Sequence, residues 1–145
     1  MTRFNIYLTF EGNCEQAFEF YKSVFGGEFS HVGRYKDMPE DPNCLVEDKE
    51  KIMHISYQIN DNAILMGSDT GGQWADQFKK GNNFSISIQA DSKKHANRLF
   101  KDLSVGGNII MPLDDTFWGS YFGMLTDKFG IQWMVSFDET AKEII

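Results

Sequence analysis

Residues 13 to 27 read Asn-Cys-Glu-Gln-Ala-Phe-Glu-Phe-Tyr-Lys-Ser-Val-Phe-Gly-Gly, and the predicted fold depends on this segment. Its apolar residues recur at spacings of three and four, which is typical of a helix with one buried face. Asn13 is a residue type that caps helix N-termini, with Gln16 placed to complete a capping box, and Gly26 is typical of a helix end. The segment therefore predicts a helix that packs one side against other elements. The predicted buried face consists of Ala17, Phe18, Tyr21, Val24 and Phe25.

A second part of the chain repeats this pattern. Ser92 begins another helix-like run, with a buried stripe predicted at Ala96, Leu99, Phe100 and Leu103. A strictly alternating strand precedes each helix, at residues 4–10 and 84–90, and further strand-like segments follow each one. The repeat predicts two modules, and a cleft between paired curved sheets is a natural place for a small molecule.

The predicted organisation is a single domain made of these two modules. Module one spans about residues 1–70 and module two about 83–138, joined by a linker at about 71–82.

Composition excludes several classes of protein. A chain of 145 residues with 41% apolar residues is typical of a globular domain rather than a disordered one. The net charge of −7 opposes binding to phosphate backbones, so no nucleic-acid partner is expected. No apolar run is long enough for a membrane helix, and two cysteines without zinc-like spacing do not demand a disulfide. We therefore predict a soluble protein of the cytoplasm that makes no membrane contact.

Several motifs resemble those of PhnB-like proteins. The opening matches in Tyr7-Leu8-Thr9-Phe10 and in residues 12–17 and 20–27, and Thr126-Asp127-Lys128-Phe129-Gly130-Ile131-Gln132-Trp133 resembles the closing Asp-x-Phe-Gly-x-x-Trp. These proteins belong to the vicinal-oxygen-chelate superfamily, which includes glyoxalase I, bleomycin-resistance proteins and extradiol dioxygenases. The resemblance implies an α+β fold of two paired βαβββ modules forming a half-open curved sheet, in a homodimer.

The resemblance also implies where a metal would bind. Enzymes of the superfamily hold a divalent ion with His, Gln or Glu on the first and last strands of the modules. Those positions fall here at Ile6, near His54, at about Ser85 and at Met134. Ile, Ser and Met are poor ligands for these ions, and one imidazole does not hold a metal. We expect no cofactor, with a divalent metal involving His54 as the alternative.

The predicted cavity takes its residues from strand faces turned away from the helices. Ser85 and Ser87 alternate with apolar neighbours, which places them on the cavity side, although a solvated face gives the same pattern. His54 is the candidate catalytic base, or else a structural strand histidine, whereas His31 and His95 are predicted to lie on the surface. The predicted cavity residues are Ile6, His54, Ser56, Ser85, Ser87, Trp118, Phe122 and Met134. Trp74 and Met66 are further candidates, and core packing or a dimer interface is the alternative for the apolar members.

Three functions follow from these features. The first is a metal-free protein that binds an apolar or aromatic small molecule. The second is an enzyme acting on a small oxygenated substrate as a lyase, isomerase or dioxygenase, with His54 as base or metal ligand. The third is sequestration of a cationic antibiotic, as in bleomycin-resistance proteins. Some PhnB-like proteins are labelled 3-demethylubiquinone methyltransferases, but the first helix follows a turn with one glycine, Gly12, and lacks a glycine-rich nucleotide turn. The sequence leaves open the ligand, and whether one chain or two enclose it.

Overall fold

The computed structural model describes residues 2–39 and 44–138, and the side chains of residues 72–74 lie outside this description. The chain divides into two compact units, Met1–Lys79 and Lys80–Ile145. Each unit has one helix on a four-stranded sheet, so the predicted α+β architecture of two βαβββ modules is confirmed. No helix in the described residues is long and apolar enough to cross a membrane.

The first unit forms a sheet with the strand order β1-β4-β3-β2. Its elements are β1 (Ile6–Phe10), α1 (Cys14–Phe25), β2 (Glu28–Arg34), β3 (Ile52–Asn60) and β4 (Ala63–Asp69). β1 runs parallel to β4, while the pairs β2–β3 and β3–β4 are antiparallel. Short 3-10 turns lie at Tyr35–Asp37, Val46–Asp48 and Gly72–Gln77.

The second unit repeats this topology in the order β5-β8-β7-β6. Its elements are β5 (Ile86–Gln89), α2 (Lys93–Ser104), β6 (Asn108–Asp115), β7 (Tyr121–Thr126) and β8 (Gln132–Phe137). β5 runs parallel to β8, and the pairs β6–β7 and β7–β8 are antiparallel. The repeat of pattern seen in the sequence is therefore a repeat of structure.

Helix α1 covers one face of the first sheet. The predicted stripe is confirmed, because Ala17, Phe18, Tyr21 and Val24 are buried, while Phe25 is half-buried. Burying a large apolar side chain stabilises a fold by roughly 1.5–3 kcal/mol, so this stripe is a main source of stability for the unit. The helix approaches the sheet closely at Gly67 of β4, where an added Cβ would lie 2.7 Å from the Phe18 ring.

The start of α1 is fixed by a residue from the far end of the unit. Asn13 is the N-cap residue, as predicted, but its side chain makes no capping hydrogen bond, so that part of the prediction was wrong. Instead, the Asp69 carboxylate accepts hydrogen bonds from the backbone N–H groups of Gly12 and Cys14 at Oδ1, each 2.9 Å long. Its Oδ2 accepts from the Ile52 N–H at 2.9 Å. The buried carboxylate thereby joins the end of β4 to the start of both α1 and β3.

Helix α2 covers one face of the second sheet in the same way. Its predicted stripe of Ala96, Leu99, Phe100 and Leu103 is buried, as expected. The predicted cap is also confirmed, because Ser92 Oγ accepts from the His95 N–H at 3.0 Å. The helix side of the sheet is marked by Gly123 of β7, where an added Cβ would lie 2.8 Å from the Phe100 ring.

A second buried carboxylate organises the turn between β7 and β8. Asp127 Oδ1 accepts from the backbone N–H groups of Phe129 and Ile131, and Oδ2 accepts from the Trp133 indole N–H at 2.8 Å. Trp133 is 2% exposed, which confirms its predicted place in the core. This network explains in physical terms why Asp127 and Trp133 occur together in the closing motif.

Replacing Asp69 with Asn should strongly destabilise the fold. An amide keeps one acceptor oxygen and turns an N–H₂ group toward backbone donors, so at least one buried N–H loses its partner. We expect Asp69→Asn to lower the free energy of unfolding by about 2–4 kcal/mol, or roughly 5–15 °C in Tm. Thermal unfolding followed by circular dichroism measures this.

Asp61→Asn is the matched control, because Asp61 is exposed in the turn between β3 and β4. The control should change stability by no more than about 0.5 kcal/mol. Equal losses in both variants would show that net charge, rather than the Asp69 network, causes the effect.

Candidate functional site

Each sheet has a second face that its own helix does not cover. In the first unit, Leu8, Gly67 and Ile55 lie on the helix side of their strands. Because strand side chains alternate, the neighbouring positions lie on the opposite face. There Tyr7, Met66, Ser56 and His31 are successive register partners across all four strands. We call these four residues and His54, two positions before Ser56, the first helix-free face.

Three rings lie close together on this face. The Tyr7 and His54 ring centroids are 5.7 Å apart with an interplanar angle of 30°, and those of His54 and His31 are 5.8 Å apart at 35°. The Tyr7 hydroxyl lies 3.5 Å from His54 Nδ1. The face therefore brings one phenol and two imidazoles into one row, with His54 in the middle.

A register irregularity puts His31 in this row. Phe29 pairs with Tyr57 on the helix side, and simple alternation would place His31 on that side too. The register shifts between Phe29 and His31, so His31 instead pairs with Ser56 on the helix-free face. Such bulges re-aim side chains. Gly33 leaves room for the ring, since an added Cβ there would lie 3.0 Å from His31 Nε2.

Two of the predicted site positions differ from the structure. Ile6 lies on the same strand face as Leu8 and Phe10, toward the helix, and the adjacent Tyr7 occupies the helix-free face. His54 lies on β3, the third strand of its module, rather than on the last strand, where the implied ligand position belongs. His54 and Ser56 do lie on the helix-free face, together with Tyr7 and His31.

The second unit has a chemically different helix-free face. Ser87, Met134, Met124 and Met111 are successive register partners across β5, β8, β7 and β6. Trp133 and Val135 on the helix side are buried, whereas the three methionines are half-buried. Cross-strand neighbours have Cβ atoms about 4.5–5.5 Å apart, so the three methionine side chains begin side by side on this face. We call this the methionine row.

Aromatic residues flank the methionine row. Phe122 lies two positions before Met124 on β7, and its ring centroid is 5.9 Å from that of Trp118. Phe117 contacts Trp118 edge-to-face at 5.0 Å and is 98% exposed. At the other end of the face, Ser85 Oγ donates to Gln132 Oε1 at 3.3 Å. The predicted residues Ser85, Ser87, Trp118, Phe122 and Met134 thus all lie in the second unit, while the Trp74 side chain lies outside the described residues.

The donor set does not fit the superfamily's metal site. On the first and last strands of the two modules, the helix-free positions hold Tyr7, Thr9, Ile64, Met66, Ser68, Ser87, Gln89, Gln132, Met134 and Ser136. The divalent ions of such sites are held mainly by imidazole and carboxylate groups, and these positions hold neither. Two amides do lie on these strands. Gln89 is the register partner of Ser136, and Gln132 lies four residues before Ser136 on β8. The two amide positions are therefore about 13 Å apart along the strand direction. Within the described residues, no group of three or more His, Cys, Asp and Glu is arranged to hold a metal.

Neither the buried thiol nor the start of α1 offers a reactive group. Cys14 is fully buried, and burial together with the nearby Asp69 carboxylate raises the pKa of its thiol far above the usual range. A thiol held protonated is a poor nucleophile. At the start of α1, the backbone N–H groups of Gly12 and Cys14 already donate to the Asp69 carboxylate, so these two donors are not free to bind a ligand.

Sequence reasoning missed Tyr7 and His31, and of the methionine row it named only Met134. Tyr7 was recoverable, because the alternation that puts Leu8 and Phe10 in the core puts Tyr7 on the other face. His31 could not be recovered from the sequence, because its orientation depends on a β-bulge that no residue type predicts. The row was hidden because Met111, Met124 and Met134 are distant in sequence, and only strand register brings them together.

Comparison with known proteins agrees with this architecture. Residues 2–136 match the model of the 3-demethylubiquinone-9 3-methyltransferase family. The chain is 29% identical to protein YjdN of Escherichia coli over 140 residues, which covers 90% of this chain and 91% of YjdN.

Two solved structures are similar along almost the whole chain. Protein PA1353 from Pseudomonas aeruginosa is 37% identical, with a TM-score of 0.81 and coverage of 95% of this chain and 98% of that one. A putative 3-demethylubiquinone-9 3-methyltransferase, PhnB protein, from Bacillus cereus is 23% identical, with a TM-score of 0.75 and coverage of 94% and 99%. The chain therefore belongs to the 3-demethylubiquinone-9 3-methyltransferase family.

Proposed function

We propose that this protein binds an aromatic small molecule on the methionine row of its second unit, without a metal. The observation that carries the proposal is the alignment of Met111, Met124 and Met134 across three adjacent strands, opposite the helix. Methionine is flexible and polarisable, and it makes sulfur–aromatic contacts of about 0.3–1.5 kcal/mol each. A row of three such side chains suits a planar aromatic ligand.

The groups around the row support the same ligand class. Trp118 is 55% exposed and Phe122 half-buried, so both have ring surface free for contact. Ser87 stands next to Met134, and the Ser85–Gln132 pair adds polar groups at the edge. An apolar surface with a few placed polar groups is the usual composition of a small-molecule site.

A second candidate function is catalysis by His54 on a small oxygenated substrate. The observation favouring it is the Tyr7 hydroxyl, 3.5 Å from His54 Nδ1, because a partner at one ring nitrogen can orient the other toward a substrate. Methyl transfer forms no part of either proposal, since the residues include no glycine-rich nucleotide turn. The antibiotic-sequestering alternative rests on the net charge of −7 alone. A homodimer in the cytoplasm is the expected state, and light scattering measures its mass.

A charged group in the middle of the methionine row should abolish binding of an aromatic probe. N-phenyl-1-naphthylamine is neutral and fluoresces in apolar surroundings. We expect it to bind the native protein, and Met124→Glu to weaken its binding at least about tenfold, or ~1.4 kcal/mol, because a carboxylate replaces a thioether contact. Fluorescence titration gives the dissociation constants, and circular dichroism checks the fold.

Met38→Glu provides the control, because Met38 is exposed in the first unit and outside both helix-free faces. Its affinity for the probe should match that of the native protein. If Met124→Glu binds the probe as well as Met38→Glu does, the methionine row is not the binding surface.

Metal ions should not stabilise the metal-stripped protein. A site filled at about one hundred times its dissociation constant adds roughly 2.7 kcal/mol, or about 5–10 °C in Tm for a chain of this size. We expect no shift of that size with Zn²⁺, Ni²⁺, Co²⁺, Mn²⁺ or Fe²⁺. The helix-free positions on the first and last strands hold no imidazole or carboxylate, and in the described residues no third ligand of these types joins His31 and His54. A large shift that disappears in His54→Ala would refute metal-free function and favour a metalloenzyme.

A further inference from the structure

We propose that the first helix-free face binds an oxyanion, a carboxylate or a phosphoryl-type group, through Tyr7, His31 and His54. This site lies in the other unit from the methionine row and shares no residue with it. The two proposals can therefore succeed or fail separately.

The three side chains have hydrogen-bonding capacity to spare. The contact between the Tyr7 hydroxyl and His54 Nδ1, at 3.5 Å, is at the outer limit of a hydrogen bond. Among the described residues, the imidazole of His31 has no hydrogen-bond partner, only its ring contact with His54. His95 differs, because its Nδ1 accepts from the Asp91 N–H at 3.2 Å. The Tyr7 hydroxyl, His54 Nε2 and the two ring nitrogens of His31 are therefore available to a ligand on one surface.

The charge of this face contrasts with that of the whole chain. Net charge is −7, yet the strand positions here are mostly neutral or basic. Beyond the five residues that define the face, the side chains on the helix-free side of β1 to β4 are those of Thr9, Glu28, Gln58, Ile64 and Ser68. The one carboxylate among them, Glu28, is at the start of β2, and its Oε2 lies 3.4 Å from Lys22 Nζ on α1. Among the described strand positions, the centre of the face thus presents N–H and O–H donors with no carboxylate beside them.

This composition favours an anion over a cation. Imidazole is a side chain that becomes positive near neutral pH, and a protonated imidazole donates from both nitrogens. Charge-assisted hydrogen bonds to a carboxylate or phosphoryl oxygen are about twice as strong as neutral ones. A cation would instead need acidic ligands, and the strand positions that the structure describes at the centre of the face hold none. Among the described residues, the titratable groups here are His31, His54 and Tyr7, with Tyr35 near Tyr7; the Tyr35 hydroxyl already donates to the Asp69 carbonyl.

Nuclear magnetic resonance of the three histidines tests this directly. The C2–H signals are followed from pH 5 to 8.5 in chloride, sulfate or acetate at equal ionic strength; sulfate stands for phosphoryl-type groups and acetate for carboxylates. A bound anion stabilises protonated imidazole, so the titration midpoints of His31 and His54 should rise by about half a pH unit or more. His95 should not move.

The two anions distinguish the ligand sources. A rise with sulfate alone assigns the site to a tetrahedral oxyanion, and a rise with acetate alone assigns it to a carboxylate. No rise with either anion, or an equal rise at His95, which would reflect general ion screening, overturns the proposal.

Tyr7→Phe separates a binding role from a structural one. The variant keeps the ring, so the fold and the stacking on His54 should persist, while the hydroxyl donor is lost. We expect the affinity for the effective anion to fall about fivefold or more. An unchanged affinity would contradict the three-residue site, and His31→Asn should likewise weaken binding while His95→Asn does not.

Discussion

The structure depends on one constraint: each four-stranded sheet has a single helix to cover it. Strand side chains alternate, so a helix that buries one set of positions leaves the other set without a partner from its own module. In the first unit that second set includes Tyr7, His31 and His54, and in the second unit the methionine row. The groups that a ligand can contact are therefore the side chains at the strand positions between the core positions, on the face that the helix leaves uncovered.

Two buried carboxylates hold these faces in position. Asp69 binds the backbone at the start of α1 and β3, and Asp127 binds the turn before β8 and the Trp133 indole. Each carboxylate accepts hydrogen bonds from N–H groups that would otherwise be buried without a partner. Leaving such N–H groups unpaired would destabilise the fold. Because β3 carries His54 and β8 carries Met134, the same networks fix the strands that carry the candidate ligand-binding residues.

The sequence predicted the helices and the order of both modules, because helical periodicity and capping by Ser92 are local signals. It placed the N-cap correctly at Asn13 but wrongly predicted a cap by that side chain, since the carboxylate that accepts from the α1 start belongs to Asp69, 55 or more residues away. Counting back from the helix motif led to Ile6, whereas strict alternation would have led to Tyr7. The orientation of His31 and the alignment of the three methionines follow from strand register, which no local pattern determines.

The central claim is that ligands contact the helix-free face of the second unit. Methyl-¹³C labelling of the seven methionines tests it most directly. Three of them form the proposed site, and Met38 lies outside it and serves as the internal control. On addition of N-phenyl-1-naphthylamine to the metal-stripped protein, the methyl signals of Met111, Met124 and Met134 should move together, while that of Met38 stays in place. Saturable binding that leaves those three signals unchanged would contradict the account.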